Sequence, residues 1–197
     1  MNPIRKNFLV ACRLASKHRR LVSLMFFVML ISFLVGVIFP HAFKATIDSI
    51  VNSLVDKILG KGFIEITSFI ILNNLKSALF VLLLGFTVIV PFFSATVNGF
   101  IIGIVAMDKM TEAGPLVFMK IIPHGIFEIP ALCLSMAFGL RIGLALWIKA
   151  FGLRSKKKRE GIVKSAFKEA FIVYIFLVVP LLVLAGLIEG FLIVLFR

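Results

Sequence analysis

Residues 21–39 read LVSLMFFVMLISFLVGVIF. The stretch carries no charge, and wound as a helix it is about 28 Å long. That is close to the roughly 30 Å of hydrocarbon in a bilayer. A cleaved signal peptide would have a shorter apolar core and a small-residue cleavage site, so this span is expected to stay. Pro40 ends it.

Four further apolar runs follow, at about 66–90, 92–107, 121–148 and 169–196. The mean hydropathy of the 197-residue chain is +1.12. The alternation over segments of about ten residues that marks a transmembrane β-barrel is absent. The sequence therefore predicts an all-α fold, a polytopic membrane helix bundle of about five transmembrane helices. The whole chain, 1–197, is read as one membrane domain, since no polar stretch is long enough to bury a core of its own. Pro91 is expected to stop the second span. The third, 92–107, is short enough to be partly re-entrant.

The segments between the spans differ in kind. Residues 1–20 hold six Lys or Arg and no acid, and the 149–168 segment, read as a loop, holds eight. Residues 40–66 hold three, offset by Asp48, Asp56 and Glu65. The bias of basic residues toward the cytoplasm predicts that 1–20 and 149–168 lie inside. Five spans then put the N-terminus in the cytoplasm and the C-terminus outside, in a multi-pass protein of the cell membrane. The net charge of +13 is concentrated beside the spans, where it suits anionic lipid headgroups. Nucleic acid is not an expected partner. In 41–62, Phe43, Ile47, Ile50, Val51, Leu54 and Ile58 share one helical face, with Lys44, Asp48, Asn52 and Asp56 largely opposite. This predicts an amphipathic outer interfacial helix.

Polar residues inside the spans are costly, about 2.5–3.5 kcal/mol for a mid-bilayer charge on the insertion scale. With the topology above, Asn73, Asn74, Lys76, His124, Glu128 and Glu189 fall at overlapping depths in the outer half, and Asn98 lies near mid-span. They are expected to form one buried cluster, with Lys76 paired to Glu128 or Glu189. The stretch IIPHGIFEIPA (121–131) sets His124 and Glu128 at i and i+4, hence on one helical face. A helix is expected to start near Pro123 and to kink at Pro130. Arg141, in the inner half, is expected to snorkel to headgroups.

Three uses of the cluster remain open on the residues alone. It can be a structural hydrogen-bonded network, a path for protons or solutes, or a metal site. In the last case His124, Glu128 and Glu189 would be ligands for a divalent ion such as Zn²⁺. No cofactor is required by the first two. No catalytic residue is identified: HExxH is absent, and no nucleophile signature surrounds Ser77, Ser94 or Ser135. Cys12 and Cys133 form no CxxC pair and no disulfide framework. Three Gly-x-x-x-Gly pairs, Gly99/Gly103, Gly139/Gly143 and Gly186/Gly190, mark close helix crossings. These lie within the bundle or, for one pair, at a contact between copies. A homo-oligomer or a membrane partner protein is expected.

Asn73–Asn74, Asn98–Gly99, PHGIFEIPA (123–131) and Ile188–Glu189 together resemble the pattern of the stage II sporulation protein M family. The resemblance covers nearly the whole chain from about residue 20, and PHG-x-x-E-x-PA is its specific part. It marks Asn73, Asn74, Asn98, Gly99, His124, Gly125, Glu128, Pro130 and Glu189. It implies an integral membrane protein of five or so helices. The sporulating bacterial member belongs to a membrane complex that remodels peptidoglycan during engulfment. For relatives in organisms that do not sporulate, the resemblance implies a membrane component of unknown biochemical activity, and the function expected here is a scaffold or subunit of a membrane assembly. The alternatives are a transporter or channel-like component, and a metal-dependent intramembrane enzyme.

Overall fold

The computed structural model describes residues 2–41, 44–114, 118–153 and 156–196, with side chains throughout except at 50, 112, 113, 118–121, 156, 158 and 159. Helix α1 (Pro3–Lys17) opens where the Asn2 side chain accepts the Ile4 amide at 3.1 Å. Pro3 follows, needing no N–H in a first turn. The chain then turns at His18 into α2 (Arg19–Ile38). The described elements continue as α3 (Lys44–Asp56), α4 (Phe63–Leu84), a 3₁₀ turn at Gly85–Thr87, and α5 (Ile89–Ala113). Next come α6 (Phe118–Ala150), α7 (Lys156–Val173), a π-turn at Tyr174–Val178, and α8 (Val179–Leu195). Five of these stretches are long and apolar enough to cross a membrane: Arg19–Ile38, Phe63–Thr87, Ile89–Thr111, Ile122–Ala150 and Glu160–Leu195. The all-α membrane bundle follows.

Helix α6 is the hub. It packs on α2, α4, α5, α7 and α8, and Leu132, Met136, Phe138, Leu140 and Ile142 are buried along it. Side chains do not have to carry the crossings alone, because glycines bring backbones together. A Cβ on Gly99 would overlap the Met29 carbonyl, and one on Gly103 the Phe33 carbonyl, so α5 lies directly on α2. Gly139 meets the backbone of Val81 and Leu82, and Gly143 meets Gly85. Gly186 and Gly190 fit against Ile71 and Thr67 of α4. All three pairs mediate crossings within the chain, where dispersion and close packing substitute for the hydrophobic effect that lipid cannot supply.

Several boundaries differ from the sequence reading. The second span ends before Pro91: α4 stops at Leu84, and Val88 takes a positive φ of 65° between the 3₁₀ turn and α5. A β-branched residue is strained there. Pro91 instead occupies the first turn of α5, where its missing N–H leaves no carbonyl unserved. The third span is not short, because its helix continues through the polar residues Asp108–Glu112. Pro123 does not open α6, which begins at Phe118 and carries both Pro123 and Pro130 within it. Helix α3 is shorter than 41–62, since a turn with Gly60 at φ 75° closes it. Phe43 lies outside the described residues.

The largest correction concerns 149–168, expected as a loop. Only Phe151–Leu153 break the helix among its described residues, and α7 runs from Lys156. Lys, Arg, Glu and Ala are strong helix formers. Ala166, Ala170 and Val173 form a buried stripe that packs on α6. Helix α7 continues through the π-turn into α8. The widened turn stands immediately before Pro180, which cannot donate to the preceding turn and whose ring would crowd it. The Tyr174 hydroxyl in that turn donates to the Leu75 carbonyl of α4 at 2.9 Å.

Candidate functional site

At the end of the bundle where α3 lies, four segments enclose a cavity of about 610 Å³. Val51, Leu54 and Ile58, from α3 and the turn after it, form an apolar wall. Leu192 and Ile193 of α8 and Phe69 and Ile70 of α4 add to it. Set into this lining are Asn73 and Asn74 of α4, His124 and Glu128 of α6, and Glu189 of α8. The volume falls within the usual range of small-ligand sites, and an apolar wall holding a few convergent polar groups is their usual form.

The i, i+4 spacing puts His124 and Glu128 on the same face of α6, and Glu189 approaches from α8. One ligating atom from each lies within 4.8 Å of the others. His124 Nδ1 is buried and has no hydrogen-bond partner among the described residues. Nor do the side chains of Asn73, Asn74, Glu128 and Glu189 bond to another described group. The chamber thus collects two acids, an imidazole and two amides, with no Lys or Arg among the described residues of its lining.

Two residues expected in the cluster are elsewhere. Lys76 points away. The buried stripe of α4 runs through Ile66, Thr67, Ile70, Ala78, Val81 and Leu82. Lys76 lies two residues beyond Asn74, hence about 200° around the helix. Its side chain is exposed, in line with Leu72, Leu79 and Leu83, and makes no ion pair among the described residues. Asn98 is also apart. Its amide donates to the Ser94 carbonyl at 2.8 Å and to the Ser94 hydroxyl at 3.2 Å, one turn back on α5. That local bond satisfies it beside the α2–α5 seam.

The sequence reading missed a second polar centre, at the other end of the bundle. Glu169 of α7 accepts from Lys17 Nζ at 2.9 Å and from His18 Nε2 at 2.9 Å. It also accepts from Arg141 Nε at 2.6 Å and from the Ser165 hydroxyl at 3.0 Å. Arg141 does not snorkel: its side chain is 16% exposed and forms a forked pair with Glu169. The His18 ring stands edge-on to Phe138, with ring centres 5.5 Å apart. Burial, with Arg141 nearby, lowers its pKa below the usual imidazole value, against the opposing pull of Glu169. The available signals were Ser165 and Glu169 at i, i+4 and the single cation midway along α6. Both require α7 to be a helix before they can be used.

Fold and chamber together define a class: an all-α, multi-pass membrane protein with a mainly apolar chamber, holding a few polar groups, at one end of its bundle. A model of the stage II sporulation protein M family matches residues 23–192, and the chain belongs to that family. No curated protein and no solved structure matches it.

Proposed function

We propose that this protein is a subunit of a membrane assembly, held there through the lipid-facing side of α4. The observation that carries the reading is Lys76. It sits thirteen residues into the 22-residue helix α4, on an otherwise apolar stripe of Leu72, Leu79 and Leu83. An embedded cation left to lipid costs about 2.5–3.5 kcal/mol, and a partner helix that brings a carboxylate to it removes that cost. The acids set deep in the described spans of a second copy are already engaged. Glu128 and Glu189 line the chamber, and Glu169 is held by its own cations. The partner proposed is a different protein whose transmembrane helix carries Asp or Glu, and the crosslinks below distinguish it from a second copy.

Photo-crosslinkers at Leu72 and Leu79 in native membranes test this. The expected adduct joins a membrane helix of another protein at a segment containing an acid, and Lys76→Leu abolishes it. Adducts to lipid alone, or to the same chain, would overturn it. The Lys/Arg bias supports an orientation with α1 and the α6–α7 turn in the cytoplasm. Cysteine at Lys157 should then label only from inside, and cysteine at Lys57 only from outside.

A second reading is favoured by the chamber: a site through which protons or solutes pass. A cysteine at Asn74 should then react with water-soluble thiol reagents from one side of the membrane and, in a transporting protein, become reachable from the other.

A further inference from the structure

We infer that the chamber is a binding site for one divalent metal ion, held by His124, Glu128 and Glu189 and open to the cavity on its remaining side. Three independent features point to it. The first is geometric. The three donor atoms lie within 4.8 Å of one another and come from two helices, α6 and α8, that pack closely on each other. Ligands of one tetrahedral ion stand about 3.4 Å apart, as follows from bond lengths of 2.0–2.2 Å. Small side-chain rotations are enough to close that gap.

The second feature is the unpartnered state of His124 Nδ1. It is sealed from solvent without a hydrogen bond. A buried polar nitrogen normally has a partner, and a metal ion supplies one. The third is charge. Two carboxylates beside each other in a place of low polarity either share a proton or hold a cation. The Glu169 centre, in the same chain, meets this need with Lys17 and Arg141. Among the described residues no Lys or Arg lines the chamber, and His124 is the one basic side chain there.

The donor set narrows the ion. One imidazole nitrogen and two carboxylate oxygens suit Zn²⁺, Mn²⁺ or Fe²⁺, and no thiolate or thioether is present to favour Cu⁺. Three protein ligands leave at least one coordination position open. That is the arrangement of metal sites that bind a further ligand, as opposed to closed structural ones. The open position faces a cavity of about 610 Å³ flanked by the side-chain amides of Asn73 and Asn74. The ligand class this admits is a small molecule with an anionic or neutral oxygen for the metal and hydrogen-bonding groups for the two amides. The inference stands on the chamber alone, so it and the α4 partner reading can fail separately.

The test uses the full chain, purified in detergent and stripped by a chelator. It is then titrated with Zn²⁺ and with Mn²⁺ alone, reading bound metal per chain and melting temperature. The expected result is about one ion per chain with a raised melting temperature for at least one of the two metals. Glu189→Gln and His124→Ala should each weaken binding by at least about tenfold, a loss in the range seen when the ligand sphere of a metal is disturbed. His41→Ala, which removes an imidazole outside the chamber, should bind as the wild type does. If His124→Ala does not yield folded protein, Glu189→Gln carries the test together with the visible spectrum of bound Co²⁺. That spectrum should report nitrogen and oxygen ligation in the wild type and vanish in the variant. Absence of stoichiometric binding by wild-type protein, or binding that survives both substitutions, would overturn the inference.

Discussion

The two ends of the bundle handle buried acids in opposite ways. At the α1 end, Glu169 is met by Lys17, His18, Arg141 and Ser165. Those donors join α1, the α1–α2 junction, α6 and α7 into one knot. At the α3 end, Glu128 and Glu189 stand with His124 around a cavity and bond to none of the described groups. The first arrangement is complete within the chain. In the reading proposed above, a bound ion completes the second. The contrast is between a centre whose charges are paired within the chain and one whose acids bond to no described group.

The largest expected effect comes from breaking the complete centre. Glu169→Ala leaves Arg141, 16% exposed, without its counter-charge and His18 without a hydrogen-bond partner, whereas Lys17 at 59% can return to water. Removing one partner of a buried pair costs about 3–5 kcal/mol. A large fall in melting temperature is expected, unchanged by added metal. A cycle of Arg141→Met and Glu169→Gln should follow, with a coupling of about 1–3 kcal/mol, as expected for groups that share a network. Full additivity there would erase the distinction between the two ends.

A smaller effect is expected from pH. The folded protein lowers the pKa of His18 through burial and the nearby Arg141. The unfolded chain then binds the proton more readily, so stability rises with pH in this window. The contribution is fully present above the ordinary imidazole value of about 6.5. It falls away as pH drops through the lower folded value. Melting temperature measured from about pH 7.5 down to 5 should fall less steeply in His18→Gln than in wild type. The smallest effect belongs to the chamber. In metal-free protein, Glu189→Gln removes an acid with no partner, and the change in stability should be under about 1 kcal/mol in either direction. A loss as large as that of Glu169→Ala would mean that the chamber, too, is a structural knot.

The sequence carried depth well and direction poorly. Hydropathy located all five spans, and the depth argument selected His124, Glu128, Glu189, Asn73 and Asn74, which line one cavity. Depth also selected Lys76 and Asn98, which do not. A span that is apolar all round gives no periodic mark of its buried face. Which way Lys76 points therefore depends on packing against α8, set by Gly186 and Gly190. Glu169 was hidden for another reason. A run of Lys and Arg reads as a solvated loop until the apolar stripe of Ala166, Ala170 and Val173 is seen to pack on α6. The Gly-x-x-x-Gly pairs were legible as crossings, but only the structure supplies their partners.

The most direct measurement is the position of a bound ion. Crystals of the full chain grown with Zn²⁺ or Mn²⁺ should show an anomalous scattering peak in the chamber. It should lie about 2.0–2.2 Å from a His124 nitrogen and from carboxylate oxygens of Glu128 and Glu189. No peak should appear at Glu169. An empty chamber under those conditions, or a peak held only by residues outside it, would contradict the account.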